Sequence, residues 1–264
     1  SLTVNKANPT IEIPSVNADY GQTLQDIDLP DGWAWEEESA SVGDAGTRRH
    51  NAIFTPEDTD NYNIVTREIA VNVAQVTLKI LSVDATDRVY DGTNQVNITG
   101  VTLNGILNAD DVAVEISANK PLIGTLESTN AGSYTKVQLQ AQDLVLTGAD
   151  AGNYNLAVAS YETTDVTITK AEAYSVADVN AEYIYTVGSE DIVEIDIAKL
   201  LKSDRGETMY TLTEAPDAYM SEQSISENGM LSYMVYPFGN KDDVSTITVT
   251  VASQNYEDVT VSVV

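Results

Sequence analysis

The sequence contains no cysteine and a single histidine, His50. Without thiols there are no disulfides, thiolate metal sites or cysteine nucleophiles. One histidine cannot build a multi-histidine metal centre, and on its own it is a poor start for a Ser-His-Asp triad. No motif indicates a catalytic centre of another kind. We therefore expect a protein that is not an enzyme and that uses no cofactor or metal.

Basic residues are also scarce, since 13 Lys and Arg stand against 41 Asp and Glu and give a formal net charge of -28. This balance argues against binding to nucleic acid, which needs clustered Lys and Arg, and against docking on anionic lipid headgroups. A strongly acidic surface repels similar neighbours, which suits a densely displayed extracellular protein. No apolar run approaches the roughly 18 residues of a membrane-spanning helix, so direct membrane insertion is not expected.

Period-two alternation of polar and apolar residues dominates the chain. The segment "REIAVNVA" places Ile69, Val71 and Val73 on one face of a strand. Short β-branched segments of this kind, bounded by Gly, Asn, Asp and Pro, indicate an all-β protein. One exception is Asp191–Gly206, which begins as a strand and then predicts a short helical turn near Ala198–Lys202.

An internal repeat divides the chain into three blocks, predicted as domains at residues 1–75, 76–170 and 171–264. Each of the first two blocks has an aromatic-plus-Gly turn, then an Ala-Gly turn, then Asn-Tyr before its closing strand. The third block has an aromatic-plus-Gly turn and an Asn-Tyr but no Ala-Gly turn. The elements are "DYGQTL" (19–24), "VGDAGT" (42–47) and "DNYN" (60–63), then "VYDGTN" (89–94), "TNAGSY" (129–134) and "GNYN" (152–155), then "YTVG" (185–188) and "QNYE" (254–257).

The start of each block also has a recurring pattern. The segments are "TVNKANPTIEI" at the beginning of the chain, "VNVAQVTLKIL" near residue 75 and "TITKAEAYSVA" near residue 170. Because the latter two would be ends of closing strands, we expect residues 1–6 to be the end strand of a preceding repeat. The array is then expected to continue upstream.

The second block resembles the YDG domain of bacterial surface proteins through "VYDGT", "NADDV", "NAG" and "LTGADAGNYNL". The first block resembles the MBG-type and other Ig-like repeats of gut bacterial cell-surface proteins through "YGQTL", "GWAWE", "VGDAGT" and "FTPEDTDNYN". The resemblance implies a tandem β-sandwich array in secreted or wall-anchored proteins, with no catalytic residues to carry over. We thus expect three tandem Ig-like antiparallel β-sandwich domains in an elongated array, roughly 100 Å long.

The repeated tyrosines Tyr62, Tyr154 and Tyr256 have two interpretations. In the structural one, Asn tolerates the turn conformation that leads into the strand, and the ring packs at the core edge with its hydroxyl bonded nearby. In the other, the three rings form a repeated recognition site. The fixed position before each closing strand favours the structural interpretation. It predicts three buried rings whose hydroxyls are satisfied within their own domains.

Two further candidates lie in the first block. Trp33 and Trp35 are two residues apart, so on a strand they share a face and could stack on sugar rings; as the alternative they are core residues. His50 forms the one basic spot with Arg48 and Arg49, either for carboxylate or interdomain pairing or as a solvated strand edge.

Calcium and covalent crosslinks are open alternatives for stiffening the array. The acidic loops "TPEDTD", "NADD", "GADAGN" and "GNKDD" offer oxygen ligands, but none matches the spaced ligands of an EF-hand loop. Lys79 and Lys170 lie in or beside apolar strands and are admissible partners for a Lys–Asn isopeptide bond. A position at a strand edge, with the amine in water, is the alternative for both.

The sequence favours a non-catalytic spacer segment of a bacterial cell-surface or secreted protein, which displays other modules away from the cell. It would be a monomer within a longer multidomain chain. The alternative is an adhesin segment that binds a surface glycan or host protein through the first domain, with Trp33 and Trp35 as the platform.

Overall fold

The computed structural model describes residues 4–107, 109–117, 119–140, 143–157, 160–182, 191–215, 220–235 and 244–264. The "YTVG" turn at 185–188 and the "GNKDD" loop at 239–243 lie outside these ranges. Within them the regular elements are β-strands and short 3-10 turns, without an α-helix, so the predicted all-β class is confirmed. No helix in these ranges is long and apolar enough to cross a membrane.

The strands are numbered in chain order. Those of the first block are β1 (Ser15–Asp19), β2 (Trp33–Trp35), β3 (Gly46–Phe54) and β4 (Val65–Ala74). Those of the second block are β5 (Val76–Ala85), β6 (Arg88–Val89), β7 (Gln95–Asn104), β8 (Ala113–Val114), β9 (Leu122–Thr125), β10 (Gly132–Gln138), β11 (Leu146–Thr147), β12 (Tyr154–Ala157) and β13 (Ser160–Thr169). Those of the third block are β14 (Ile192–Asp196), β15 (Thr208–Glu214), β16 (Met220–Ile225), β17 (Met230–Val235), β18 (Ile247–Ser253) and β19 (Val259–Val263).

The chain divides into two compact units. The first comprises Ser1–Asp84, Ile98–Leu122 and Gln138–Glu162. The second comprises Ala85–Asn97, Ile123–Val137 and Thr163–Val264. The second block contributes to both units, and the division into three domains near residues 75 and 170 stays a prediction.

In the first unit, the first block forms a four-stranded sheet in the order β1-β4-β3-β2. Strand β1 is parallel to β4, whereas β3 is antiparallel to both β4 and β2. In the same unit β5 pairs in parallel with β12, and β8 pairs with β11. The buried faces meet in two apolar clusters, one around Leu24, Ile69 and Val71 and one around Leu78 and Tyr154.

In the second unit, the third block forms two three-stranded antiparallel sheets, β14-β17-β16 and β15-β18-β19. Their inner faces enclose a core that includes Leu231, Val249 and Val261, each fully buried. The part of the second block in this unit pairs β6 in parallel with the end of β13, at Arg88 and Ile168.

Local sequence accounts for these elements. Along β4 the apolar residues Ile69, Val71 and Val73 are buried and their neighbours face outward, as the alternation predicts. The predicted change from strand to helical turn is also confirmed, since β14 is followed by a 3-10 turn at Ile197–Leu200. The Asp196 side chain begins that turn by accepting a hydrogen bond from the Lys199 amide.

Candidate functional sites: two tyrosine–aspartate clusters

The first cluster brings residues of the first two blocks together inside the first unit. Tyr20 and Tyr154 each donate their hydroxyl to Oδ2 of Asp110, at 2.8 and 2.6 Å. The amide of Leu107 donates to the Tyr154 hydroxyl at 3.0 Å. The two rings meet edge to face, with centroids 5.6 Å apart and planes at 73°. Such T-shaped pairs are the preferred geometry of aromatic rings and contribute about 0.5–1.5 kcal/mol beyond burial.

The turn after β1 positions Tyr20. Its amide donates to the carbonyl of Ala74, the last residue of β4. Gly21 follows with a φ of +92°, and a Cβ there would lie 2.6 Å from Cδ1 of Leu107. The left-handed backbone favours glycine, and the lack of a side chain also leaves room for Leu107 of the next block. This explains the Tyr-Gly pair of the "DYGQTL" turn.

Asn153 is the second component of the first cluster. Its Oδ1 accepts the amide of Ala45 at 2.8 Å, and its Nδ2 donates to Oδ1 of Asp44 at 3.2 Å. Arg48 supports the same turn by donating to the carbonyls of Asp44 and Ala45, at 2.8 and 3.3 Å. The Asn side chain of the second block is therefore bonded to the Ala-Gly turn of the first.

The second cluster repeats this arrangement inside the second unit, with residues of the second and third blocks. Tyr256 donates its hydroxyl to Oδ2 of Asp204 at 2.9 Å, and the Tyr90 hydroxyl donates to the Asp204 carbonyl at 3.1 Å. The rings of Tyr90 and Tyr256 are 5.5 Å apart at 72°, close to the geometry of the first cluster. One aspartate again serves two tyrosines from successive blocks.

Asn255 takes the place of Asn153 in the second cluster. Its Oδ1 accepts the amide of Ala131 at 2.8 Å. Its Nδ2 donates to Oδ1 of Asn130 at 3.0 Å and to the carbonyl of Asp204 at 2.7 Å. Tyr134 supports this Ala-Gly turn through a hydroxyl bond to the Asn130 carbonyl at 2.6 Å, where the first cluster uses Arg48.

The second cluster has one addition. The ring of Tyr174 meets that of Tyr256 edge to face at 5.1 Å, and the Lys202 ammonium lies 4.3 Å from the Tyr256 centroid. A cation above an aromatic face contributes about 0.5–1 kcal/mol at an exposed site. Tyr256 therefore packs against two aromatic rings and one ammonium group. The ring of Tyr154 has the edge-to-face contact with Tyr20.

Burial and the shared carboxylates keep the phenols protonated. Desolvation, followed by the hydrogen bond to Asp110, raises the pKa of Tyr20 from 10.0 to about 12. Desolvation also raises the pKa of Tyr154, Tyr90 and Tyr256, with the neighbouring carboxylate adding to the effect. A deprotonated phenol would lose its hydrogen bond and face a like charge. The protonated phenols can therefore donate the hydrogen bonds to Asp110 and Asp204.

The three repeated tyrosines have different surroundings. Burial is confirmed for Tyr154 and Tyr256, which are 2% and 8% exposed, and both hydroxyls bind acceptors in their own blocks. The prediction is wrong for Tyr62, which is 41% exposed. The physical reason is that the rings of Tyr154 and Tyr256 are covered by the turn of the preceding block, a contact that Tyr62 lacks in the described structure.

The tryptophans lie at different depths on β2. Trp35 is buried in the core of the first block and donates Nε1 to the carbonyl of Ile27 at 3.0 Å. Trp33 is half-buried against the ring of Phe54, with centroids 5.2 Å apart. His50 is half-buried, edge-on to Trp35, and its Nε2 is 3.1 Å from the Val42 carbonyl. Of the two arginines beside His50, Arg48 pairs with the Asp44 carboxylate at 3.5 Å and Arg49 is exposed.

Two of the acidic loops contribute to the first cluster, "NADD" through Asp110 and "GADAGN" through Asn153. Lys79 and Lys170 are exposed. Within the described ranges no group of three acidic or histidine side chains is arranged to hold a metal ion. An open groove of about 580 Å³ runs along β1 and β4, lined by Asp19, Gln22 and Asp26 among others, and neither tryptophan lines it.

Sequence reasoning missed the two aspartates and the role of the early tyrosines. Asp110 lies in the "NADDV" element of the YDG resemblance, but nothing there indicates an acceptor for two tyrosines, and Asp204 has no distinguishing signal in a chain with 41 acidic residues. The early tyrosines did have a sequence signal, because the aromatic-plus-Gly turn, the Ala-Gly turn and the Asn-Tyr recur together in the first two blocks. The recurrence predicts contacts within each block, whereas in the structure the turns of one block contact the Asn-Tyr of the next block.

Comparison with known protein families identifies the middle of the chain. Residues 74–165 match the family model of the YDG domain. The match confirms the resemblance predicted from "VYDGT" and "LTGADAGNYNL", and it contains Tyr90, Asp110, Ala131 and Tyr154. No curated protein matches the chain.

Solved structures give only distant likenesses. An endo-fucoidan hydrolase of glycoside hydrolase family 107 is 9% identical over 89% of this chain and 37% of its own, with a TM-score of 0.22. Drosophila N-cadherin EC1-3 is 8% identical over 95% of this chain and 96% of its own, with a TM-score of 0.25. The extracellular domain of protocadherin GammaB4 is 7% identical over 96% of this chain and 50% of its own, with a TM-score of 0.29. At these TM-scores the likenesses carry no conclusion on fold or function.

Proposed function

We propose that this chain, whose residues 74–165 match the YDG domain, is a non-catalytic spacer segment of a bacterial cell-surface or secreted protein. It displays other modules away from the cell. In this proposal the three blocks are tandem Ig-like β-sandwich domains in an elongated array, the first of MBG type and the third a diverged relative. The chain is a monomer and makes no contact with nucleic acid or membrane.

The repeated clustering of one Asp, two Tyr and one Asn carries the proposal. In each cluster the Asn side chain bonds to the Ala-Gly turn of the preceding block, and the Asp accepts a tyrosine hydroxyl from the aromatic-plus-Gly turn of that block. A segment that holds other modules at a distance must resist bending where its blocks meet. Several hydrogen bonds, each contributing about 0.5–1.5 kcal/mol net, and a packed aromatic pair supply that resistance.

Composition supports the same role. The net charge of -28 gives neighbouring copies a mutual repulsion, which favours dense display on a surface. Bonds to backbone amides and carbonyls also suit an array of diverged blocks. Such contacts, including those of Ala45 and Ala131 with the Asn side chains, depend on turn geometry more than on side-chain identity.

The adhesin alternative depends on Trp33 and Trp35 as a stacking pair for a glycan or host protein. Burial of the Trp35 indole against Ile27 leaves the half-buried Trp33 without a coplanar neighbour for a sugar ring. The spacer is therefore the better-supported function. A quenching experiment separates the two, because an adhesin platform requires both indoles to be accessible to acrylamide and a glycan array to give a signal.

Small-angle X-ray scattering tests the spacer proposal directly. A rigid array of three domains predicts a maximum dimension of roughly 100 Å that does not change with ionic strength. The matched variant Asn153→Ala/Asn255→Ala should broaden the distance distribution, because it removes the side-chain bonds to both Ala-Gly turns. A compact particle, or an unchanged distribution in the variant, would contradict the proposal.

A further inference from the structure

The Asn61–Tyr62 pair of the first block has the same backbone setting as the two covered pairs. Tyr62 forms a parallel bridge with Ala7, as Tyr256 does with Ala171 and Tyr154 does with Val76. The amide of Ala7 donates to the Asn61 carbonyl at 2.9 Å, and the Ala171 amide donates to its Asn255 counterpart at 2.9 Å. The pair is therefore one structural element in three copies.

The three Asn-Tyr pairs differ in solvent exposure. Tyr62 is 41% exposed, whereas Tyr154 and Tyr256 are 2% and 8% exposed. Asn61 is exposed, whereas Asn153 and Asn255 are buried. An aromatic-plus-Gly turn and an Ala-Gly turn of the preceding block contact each covered pair.

The loop before Tyr62 shows what the asparagine does without those turns. Asn61 donates Nδ2 to Oδ2 of Asp58 at 2.8 Å, three residues earlier. In the second block the residue at that spacing, Asp150, accepts the backbone amide of Asp111 instead, and the side-chain Nδ2 of Asn153 donates to Asp44. Release of the Asn61–Asp58 side-chain bond would free the Asn61 side chain to bond to such a turn.

We propose that the Asn61–Tyr62 surface is a docking site for a domain of the same kind that precedes the first block in one polypeptide. The incoming Tyr-Gly turn packs edge-on against Tyr62, and the incoming Ala-Gly turn donates its amide to Oδ1 of Asn61. The occupant is assigned by chain order, because in both covered clusters the turns come from the block immediately before.

The connection fixes the register of the docked domain. In the first cluster Tyr20 is bonded to Ala74, and two residues later Val76 pairs with Tyr154. Ala7 pairs with Tyr62 as Val76 pairs with Tyr154, so Lys6 corresponds to Gln75. A preceding block that ends at the equivalent of Ala74 and continues into Lys6 has the same short connection.

A fused chain tests this directly. A copy of residues 1–74 is placed immediately before Lys6 of the 6–264 chain, with Tyr62→Phe in the copy so that one Tyr62 peptide remains. Hydroxyl-radical footprinting with mass spectrometry then measures the oxidation rate of Tyr62. We expect the oxidation rate of Tyr62 to fall about tenfold relative to the 264-residue chain. A tenfold protection corresponds to a docking free energy of about 1.4 kcal/mol.

The matched control is the same fused chain with Tyr20→Ala and Ala45→Pro in the copy, which removes the ring and the donor amide. Tyr62 should return to its rate in the 264-residue chain. A second fused chain, with residues 1–169 before Lys6 and the same Tyr62→Phe change, presents the Tyr90 and Ala131 turns. It keeps the test valid if the shorter copy does not fold.

This inference extends the proposed array, and the two can fail separately. An unchanged Tyr62 rate in both fused chains, with Tyr154 still protected, would overturn the docking site and leave the proposed spacer intact. Loss of protection at Tyr154 and Tyr256 in the unfused chain would contradict the covered clusters, and the proposed function with them.

Discussion

Asn153–Tyr154 and Asn61–Tyr62 have the same side chains at the same backbone register, and they differ in what covers them. The first pair is buried beneath Tyr20 and the turn at Ala45. The second is exposed, and its asparagine bonds within its own loop. The difference shows that local sequence starts the closing strand, whereas burial of the pair is supplied by the preceding block.

The comparison separates two roles in one motif. The parallel bridge to the start of the block is formed in all three copies, with or without a cover. The hydrogen bonds of the Asn side chain to an Ala-Gly turn are formed by Asn153 and Asn255, whereas Asn61 bonds to Asp58. Equivalent substitutions in a covered pair and in Asn61–Tyr62 should therefore lower the free energy of unfolding by different amounts. The difference measures what the contact with the preceding block contributes to stability.

The largest inequality is expected between Tyr154→Ala and Tyr62→Ala. Truncation of Tyr154 leaves a cavity in the apolar cluster around Leu78 and should lower the free energy of unfolding by about 3–5 kcal/mol. Truncation of the exposed Tyr62 should cost about 1 kcal/mol or less. Urea denaturation followed by circular dichroism measures both. Equal losses would show that the cover contributes nothing.

A second inequality is expected between Asn255→Ala and Asn61→Ala. The first leaves the Ala131 amide without its side-chain acceptor at a buried position, which costs about 1–3 kcal/mol. The second removes an exposed bond to Asp58 and should change stability by about 0.5 kcal/mol or less. The same denaturation series, with Asn153→Ala as the intermediate case, checks the order.

Local patterns could be predicted from the sequence, and contacts between blocks could not. Alternation along β4 and the helical turn after β14 follow from the residues themselves. The Asn-Tyr position before each closing strand could also be predicted, but the exposure of Tyr62 depends on a cover far away in sequence. Asp110 and Asp204 were not predicted, because a lone carboxylate that accepts two phenols has no local signature.

The smallest effect is a dependence on pH in the alkaline range. The pKa of Tyr20 is raised to about 12 in the folded state against 10.0 otherwise, so its contribution is complete below pH 10 and is lost as pH rises toward 12. Stability should therefore fall between pH 10 and 12. Tyr20→Phe keeps the ring without an ionisable hydroxyl and should make this fall shallower. A slope unchanged by that substitution would exclude Tyr20 as its source.

The central claim is that the turn of one block buries the Asn-Tyr of the next. Hydroxyl-radical footprinting of Tyr62, Tyr154 and Tyr256 in the chain and in Tyr20→Ala and Tyr90→Ala tests it most directly. In the unsubstituted chain Tyr62 should be oxidised fastest. Tyr20→Ala should then expose Tyr154 alone, and Tyr90→Ala should expose Tyr256 alone. Tyrosines that stay protected in both variants would contradict the account.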